Sequence, residues 1–322
     1  MRSIRRVAVL GAGTMGSRIA AHFSNAGLPV LLLDLPAEGV DRDRVVRNAL
    51  DIALKQRPTA FFESTGMERI TTGNFEDDLP LLGSCQWVLE AVTENLEIKR
   101  AIWAKILPFC APEAILSTNT SGIPLAQISQ DFPAEAKSRF LGTHFFNPPR
   151  YLHLLEVIPC AATRPELVRF VSDFGEHRLG KGIVLCRDTP NFIANRIGCF
   201  LGSSVIRAMT EGDYSIEEVD VLTGPLIGLP KSASFRLFDI IGLDVWAFVA
   251  KNLYAAIEND PWREWFLPPS FLEQMIANGW LGEKTKQGFY KRVGPEKQIH
   301  ALDWKTLTYH AAAYPRFASV DA

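Results

Sequence analysis

Val7-Ala8-Val9-Leu10 runs directly into Gly11-Ala12-Gly13-Thr14-Met15-Gly16. Four apolar residues closed by a glycine turn, then a helical pattern over 15–25 ending at Gly27, read as strand, turn and helix in succession. A second apolar run, Val30-Leu31-Leu32-Leu33, ends on Asp34. In this context each glycine has a physical task. Gly11 permits the tight turn, Gly13 lets the backbone approach a pyrophosphate, and Gly16 lets helix and strand pack closely, while the helix N-terminus offers free N–H groups to the anion. Asp34 is placed to accept hydrogen bonds from adenine-ribose hydroxyls, and its charge repels a 2′-phosphate, so the pattern predicts NAD rather than NADP. The cofactor-facing set at this end is Gly11, Gly13, Thr14, Met15, Gly16 and Asp34.

Outward from this unit, short aliphatic runs alternate with helical patterns as far as Cys186, with strands expected at 7–10, 30–33, 87–91, 115–117, 140–143, 154–158 and 183–185. Such alternation predicts an α/β, Rossmann-type, doubly wound and mainly parallel sheet. The texture changes at Thr189-Pro190, which reads as an N-cap with proline at the first helical position, followed by Ile193, Ile197, Phe200, Leu201, Val205 and Met209 at helical spacing. Ser215-Ile216-Glu217-Glu218 reads as a capping box, and further helices are expected within 235–257 and 269–278. The expected organisation is a dinucleotide-binding domain over 1–187, a smaller all-α domain over 188–291, and an irregular tail or linker over 292–322.

Composition narrows the function classes. The chain has 322 residues, 47% hydrophobic and 22% charged, which is globular rather than disordered or fibrous. Its 34 basic and 36 acidic residues leave a net charge of −2, and no basic stripe is present, so no nucleic-acid partner is expected. Apolar runs are far too short for a membrane span. Five widely spaced cysteines, Cys85, Cys110, Cys160, Cys186 and Cys199, form no C-x-x-C pair and have no histidine at ligand spacing. Reduced thiols in a cytoplasmic setting and no metal site are the reading.

A doubly wound sheet places its chemistry outside the carboxyl ends of its strands. After 87–91 come Glu94 and Lys99; after 115–117 come Asn119, Thr120 and Ser121; after 140–143 come His144 and Asn147. Glu156 sits inside the apolar run 154–158, where a carboxylate needs a partner.

Together these motifs resemble the L-3-hydroxyacyl-CoA dehydrogenase family, in order and spacing, over about residues 5–291, and in particular the dehydrogenase part of long bacterial multifunctional fatty-acid oxidation proteins. The shared text comprises the glycine motif, Glu90-Ala91-Val92-Thr93-Glu94-Asn95, Ser117-Thr118-Asn119-Thr120-Ser121, His144-Phe145-Phe146-Asn147-Pro148, Leu155-Glu156-Val157-Ile158, Asp188-Thr189-Pro190 with Asn195-Arg196, and Gly288-Phe289-Tyr290. The resemblance implies NAD-dependent oxidation of L-3-hydroxyacyl-CoA to 3-ketoacyl-CoA, a step of fatty-acid β-oxidation. It implies His144 as base, Glu156 as the carboxylate that orients it, and Ser121 and Asn195 as catalytic-site residues that hydrogen-bond substrate oxygens. Glu94, Lys99, Asn147 and Lys284 match cofactor-contact positions, and Lys55 is a candidate for the CoA. The expected partners are an acyl-CoA substrate and either a second copy, docked through the helical domain near Trp246, Phe248, Leu253 and Tyr254, or a fused enoyl-CoA hydratase region.

Two departures stand out. Members of the family it resembles commonly have glycine where this chain has Asn191, a change that a helix's first turn tolerates, and many have glycine where it has Lys286, which costs stability if that position needs a positive φ and bears on the Lys284 cofactor contact. Rival readings on the same scaffold are a CoA-free 3-hydroxyacid (sugar-acid) dehydrogenase and a non-catalytic, crystallin-like NAD-binding protein.

Overall fold

The computed structural model describes residues 3–318. By its internal contacts the chain divides into two compact units, one extending to Phe192 and the other starting at Ile193.

The first unit is built on eight strands: β1 (Val7–Leu10), β2 (Val30–Asp34), β3 (Ile70–Asn74), β4 (Trp87–Glu90), β5 (Ile115–Thr118), β6 (Phe140–Phe145), β7 (Leu154–Pro159) and β8 (Gly182–Leu185). They lie side by side in the order β3-β2-β1-β4-β5-β6-β7-β8. Every pairing is parallel except β6 with β7. The order reverses between β1 and β4, so the loops after these two strands part and leave a crevice at their carboxyl ends.

β1 is buried on both faces. Val7 and Val9 join a core under α1 (Thr14–Asn25), α2 (Arg44–Lys55) and α6 (Pro165–His177), while Ala8 and Leu10 join a second core under α3 (Leu96–Ile106) with the short α4 (Leu125–Ile128) and α5 (Ala134–Lys137). That two-sided burial is why the strand reads as an unbroken apolar run rather than an alternating one. β3, Ile-Thr-Thr-Gly-Asn, is absent from the sequence reading. As an edge strand with little apolar content, it carries only a weak hydrophobic signal.

The second unit contains α7 (Ala194–Gly212), α8 (Ile216–Leu222), α9 (Phe235–Ile241), α10 (Leu243–Ala256) and α11 (Ser270–Ala277). The capping box forms: Ser215 Oγ accepts from the Glu218 N–H at 3.2 Å, and Glu218 Oε2 accepts from the Ser215 N–H at 2.8 Å. Gly242, at φ +99°, breaks 235–257 into two helices.

Three expectations need correction here. α7 does not start at Thr189-Pro190, because Asn191 and Phe192 take left-handed φ of 57° and 50°, which no helix's first turn allows. The left-handed backbone at 191 is one that asparagine meets better than most side chains. Likewise the buried face of α7 is Cys199, Gly202, Ser203, Ile206 and Met209, leaving Ile193, Ile197 and Leu201 exposed. Finally, the segment beyond 292 is not irregular. Strands β9 (Tyr290–Val293), β10 (Gln298–Asp303) and β11 (Thr308–Ala311) form an antiparallel sheet that seats Ala301 and Leu302 in buried positions. Charged and polar residues such as Lys291, Arg292, Gln298 and His300 mask its alternation. Among the described residues no helix is long and apolar enough to cross a membrane.

Candidate active site at the carboxyl edge of the sheet

The β1–α1 turn has the form that the glycines predict. Gly11 holds φ +94°, and a Cβ there would sit 2.8 Å from the Ala91 carbonyl oxygen; one on Gly16 would sit 1.7 Å from that of Gly11. Gly13 differs, because a Cβ there would meet nothing within 4 Å. The space above Gly13 leaves room for the close approach of a pyrophosphate that the motif predicts. Thr14 and Met15 follow in the first turn of α1. Asp34 ends β2 beside this turn, with Oδ2 accepting from the Ala12 N–H at 2.5 Å and Oδ1 from the Leu35 N–H at 2.6 Å. The residues present therefore fit a dinucleotide's phosphates and its ribose.

On β6 the antiparallel register sets His144 directly opposite Glu156 on β7. Nδ1 of the imidazole donates to Glu156 Oε2 at 2.7 Å, and both side chains are buried. This bond fixes the proton on Nδ1 and leaves Nε2 as the acceptor nitrogen. Phe146 and Phe192 flank the ring, with centroids at 4.4 and 5.7 Å. Lys181 braces the turn that follows, its Nζ donating to the carbonyls of Pro149 and Leu152, and burial pushes its pKa down to about 8.

Glu94 organises the loop after β5. Its Oε1 accepts from Thr120 Oγ1 at 2.7 Å and from the N–H groups of Ser121 and Gly122 at 2.7 and 3.1 Å. Lys99 is no solvated charge. It is buried, with Nζ 2.7 Å from Glu90 Oε1 and 3.3 Å from Glu94 Oε2. Glu90, fully buried at the end of β4, also accepts from Thr118 Oγ1 at 2.6 Å and the Val92 N–H at 2.8 Å. Its role was missed in the sequence, although a carboxylate closing the apolar run Trp87-Val88-Leu89 carries the same signal that singled out Glu156. Asn119 was also passed over as a positioning residue; its Oδ1 accepts from the Phe145 N–H at 2.8 Å and ties this loop to the strand bearing His144. Asp188 does similar work by capping α4 through the N–H groups of Leu125 and Ala126.

Other expected residues make contacts of their own. Asn147 Oδ1 accepts from Arg18, whose Nε also donates to Gln56 Oε1 at 2.9 Å. Lys55, next to Gln56, is exposed at the end of α2. Asn195 and Lys284 belong to the second unit, where Asn195 is partly exposed in the first turn of α7 and Lys284 Nζ is 2.6 Å from both Asp244 oxygens. Lys286 does take a left-handed φ, 61°.

A dinucleotide cradle and a carboxylate-held imidazole on one sheet edge define the class of nicotinamide-dependent oxidoreductases. Residues 6–189 match the 3-hydroxyacyl-CoA dehydrogenase NAD binding domain and residues 192–292 its C-terminal domain, so the chain belongs to the 3-hydroxyacyl-CoA dehydrogenase family. The first unit is accordingly an NAD-binding domain. A probable 3-hydroxyacyl-CoA dehydrogenase of Bacillus subtilis is 46% identical over 323 residues, which cover 96% of this chain and 41% of that protein. A putative fatty acid oxidation complex trifunctional enzyme of Rickettsia felis is 40% identical over 89% of this chain and 40% of its own length. The chain thus spans about two-fifths of both relatives. The crystal structure of FadB2 from M. tuberculosis superposes with a TM-score of 0.78 at 31% identity, over 91% of this chain and all of that one.

Proposed function

We propose that the chain catalyses the reversible, NAD-dependent oxidation of L-3-hydroxyacyl-CoA to 3-ketoacyl-CoA. The observation that carries the mechanism is the 2.7 Å bond between His144 Nδ1 and Glu156 Oε2. With Nδ1 committed, Nε2 is the group that takes the proton of the substrate hydroxyl, and the buried Glu156 carboxylate stabilises the imidazolium that results. Bound NAD supplies the hydride acceptor. Ser121, held by Glu94 through its backbone, and Asn195 supply hydrogen bonds to substrate oxygens. Glu94, Lys99 and Asn147 act around the cofactor through the contacts described, and Lys284 and Lys55 are the outlying candidates for cofactor and CoA. All five cysteines are thiols, which supports a reducing, cytoplasmic setting.

The name of the Rickettsia felis relative, a fatty acid oxidation complex trifunctional enzyme, supports a place in fatty-acid oxidation and within a longer multifunctional protein; a fused enoyl-CoA hydratase region is the assembly proposed there. A homodimer through the helical unit is the other assembly proposed, supported by the exposed apolar Ile197, Leu201, Ile240, Val245 and Phe248. Trp246 and Leu253, expected in that patch, are instead buried in the helical core.

The test is turnover of acetoacetyl-CoA with NADH. Consumption of NADH is expected. A folded chain that binds NADH but consumes none would overturn the activity and favour the binding-protein reading.

A further inference from the structure

The segment that follows β8 lies against the loop carrying Ser121, and one of its side chains fills a place that the loop leaves bare. A Cβ on Gly122 would sit 2.5 Å from Asn191 Oδ1, and the three atoms nearest to it all belong to Asn191. The φ of Gly122 lies outside the left-handed region, so its backbone does not itself call for glycine. The demand comes from Asn191. That residue is buried, 4% exposed, on a left-handed backbone at φ 57°, and a buried amide has little room to step aside.

The same segment is pinned at two further points. Asp188 accepts from the N–H groups of Leu125 and Ala126 at 2.9 and 3.1 Å, just beyond Gly122 in the chain. The Phe192 N–H donates to the Thr189 carbonyl at 3.0 Å, and the buried Phe192 ring stands 5.7 Å from the His144 imidazole. From the loop's own side, Glu94 Oε1 takes the Thr120 hydroxyl and the N–H groups of Ser121 and Gly122. Glu94 thus ties down the loop's donors and leaves the bare Cα of Gly122 to Asn191.

We propose that Asn191 is a positioning residue for Ser121: its amide, seated over Gly122, works with Glu94 to set where the Ser121 hydroxyl meets a substrate oxygen. This role rests on the reading of Ser121 as a residue that hydrogen-bonds substrate. Gly122 and Asn191 form a matched pair, bare against bulky. A methyl group at 122 can reach an ordinary contact of 3.4 Å only if Asn191 or the loop gives way. A displacement of about 1 Å in an orienting group costs on the order of 100-fold in rate.

A mutant cycle on kcat for acetoacetyl-CoA reduction tests the pair, with NADH affinity and melting temperature read on every variant. Gly122→Ala should lower kcat by about tenfold or more while NADH affinity stays within about threefold. Asn191→Gly, which suits the left-handed backbone, should lower kcat by about three- to tenfold. In the Asn191→Gly background Gly122→Ala should cost less than about twofold more, because the oxygen it met is gone. In the Ser121→Ala background, whose residual rate is the reference, either substitution should change kcat by less than about twofold, since no hydroxyl remains to be aimed. A purely structural contact would instead lower the rate alike with and without that hydroxyl. If Gly122→Ala does not fold, Asn191→Gly with and without Ser121→Ala decides the matter. An active native chain in which the substitutions cost the same in every background, or in which Asn191→Gly keeps the native kcat, overturns the pair alone. A folded native chain that consumes no NADH overturns the activity, and this role with it.

Discussion

At the residue scale, the proposed chemistry rests on one imidazole and the carboxylate opposite it. His144→Gln should keep NADH affinity and lose turnover by about two to four orders of magnitude, the range that a general base supplies. Glu156→Gln should lower the rate by a comparable factor, because an amide can hold the ring but cannot stabilise the imidazolium. Acetoacetyl-CoA kinetics beside an NADH fluorescence titration separate rate from binding, and an unchanged rate in His144→Gln would remove the residue from its role. A second histidine makes a different prediction. His22 is buried on α1, with Nε2 donating to the Leu179 carbonyl at 3.1 Å and Nδ1 lacking a partner among the described residues. Burial, then the charge of Lys181, lowers its pKa to about 4. The unfolded chain, with His22 near 6.5, therefore binds that proton first as pH falls. Stability contributed here is complete above pH 6.5 and is lost on the way down to about 4, on the order of 3 kcal/mol. Denaturant midpoints from pH 7.5 to 4.5 should fall in the native chain and flatten in His22→Gln.

At the scale of elements, the β1–α1 turn separates glycines that the fold needs from one that the ligand needs. Gly16→Ala drives a methyl into the Gly11 carbonyl and should cost about 3 kcal/mol or more. Gly13→Ala meets open space at φ −63°, so stability should stay within about 1 kcal/mol while NADH affinity drops at least tenfold. Thermal melts and NADH titration of the two variants give opposite patterns if the cradle is where the phosphates sit. This turn was legible because strand, glycines, helix and Asp34 are contiguous or nearly so. The β5 loop was legible only in part. Ser121 and Glu94 stood out as polar residues after strands, but that Glu94 holds Ser121 by its backbone N–H depends on β4 and β5 lying side by side. Asn191 shows the converse failure: its reading as a helical residue followed from the local Thr-Pro signal, whereas the backbone there turns through two left-handed residues before α7 begins.

For the whole molecule, the stretch past Val293 is part of the second unit's core, not an appendage. Leu302 packs into the helical cluster, Trp304 Nε1 donates to the Tyr214 carbonyl at 3.0 Å, and the Tyr309 hydroxyl donates to that of Gly288 at 2.5 Å. Ending the chain at Gly294 should therefore destabilise the helical unit by at least about 2–5 kcal/mol, the cost of uncovering one buried Leu-sized site. Limited proteolysis would show it as faster cleavage within 194–277; an unchanged pattern would make the sheet dispensable.

The parallel α/β unit and the NAD-binding turn were already written in the sequence, because each lies in contiguous residues whose spacing matches a strand, a turn or a helix. Tertiary structure alone decided the rest. The 12-residue gap between His144 and Glu156 becomes a 2.7 Å bond only through the antiparallel register of β6 and β7. The burial of Lys99 on Glu90, the backward turn at Asn191 and the seating of its amide over Gly122 likewise arise from groups brought together across the chain, where burial rather than local propensity sets which groups need partners.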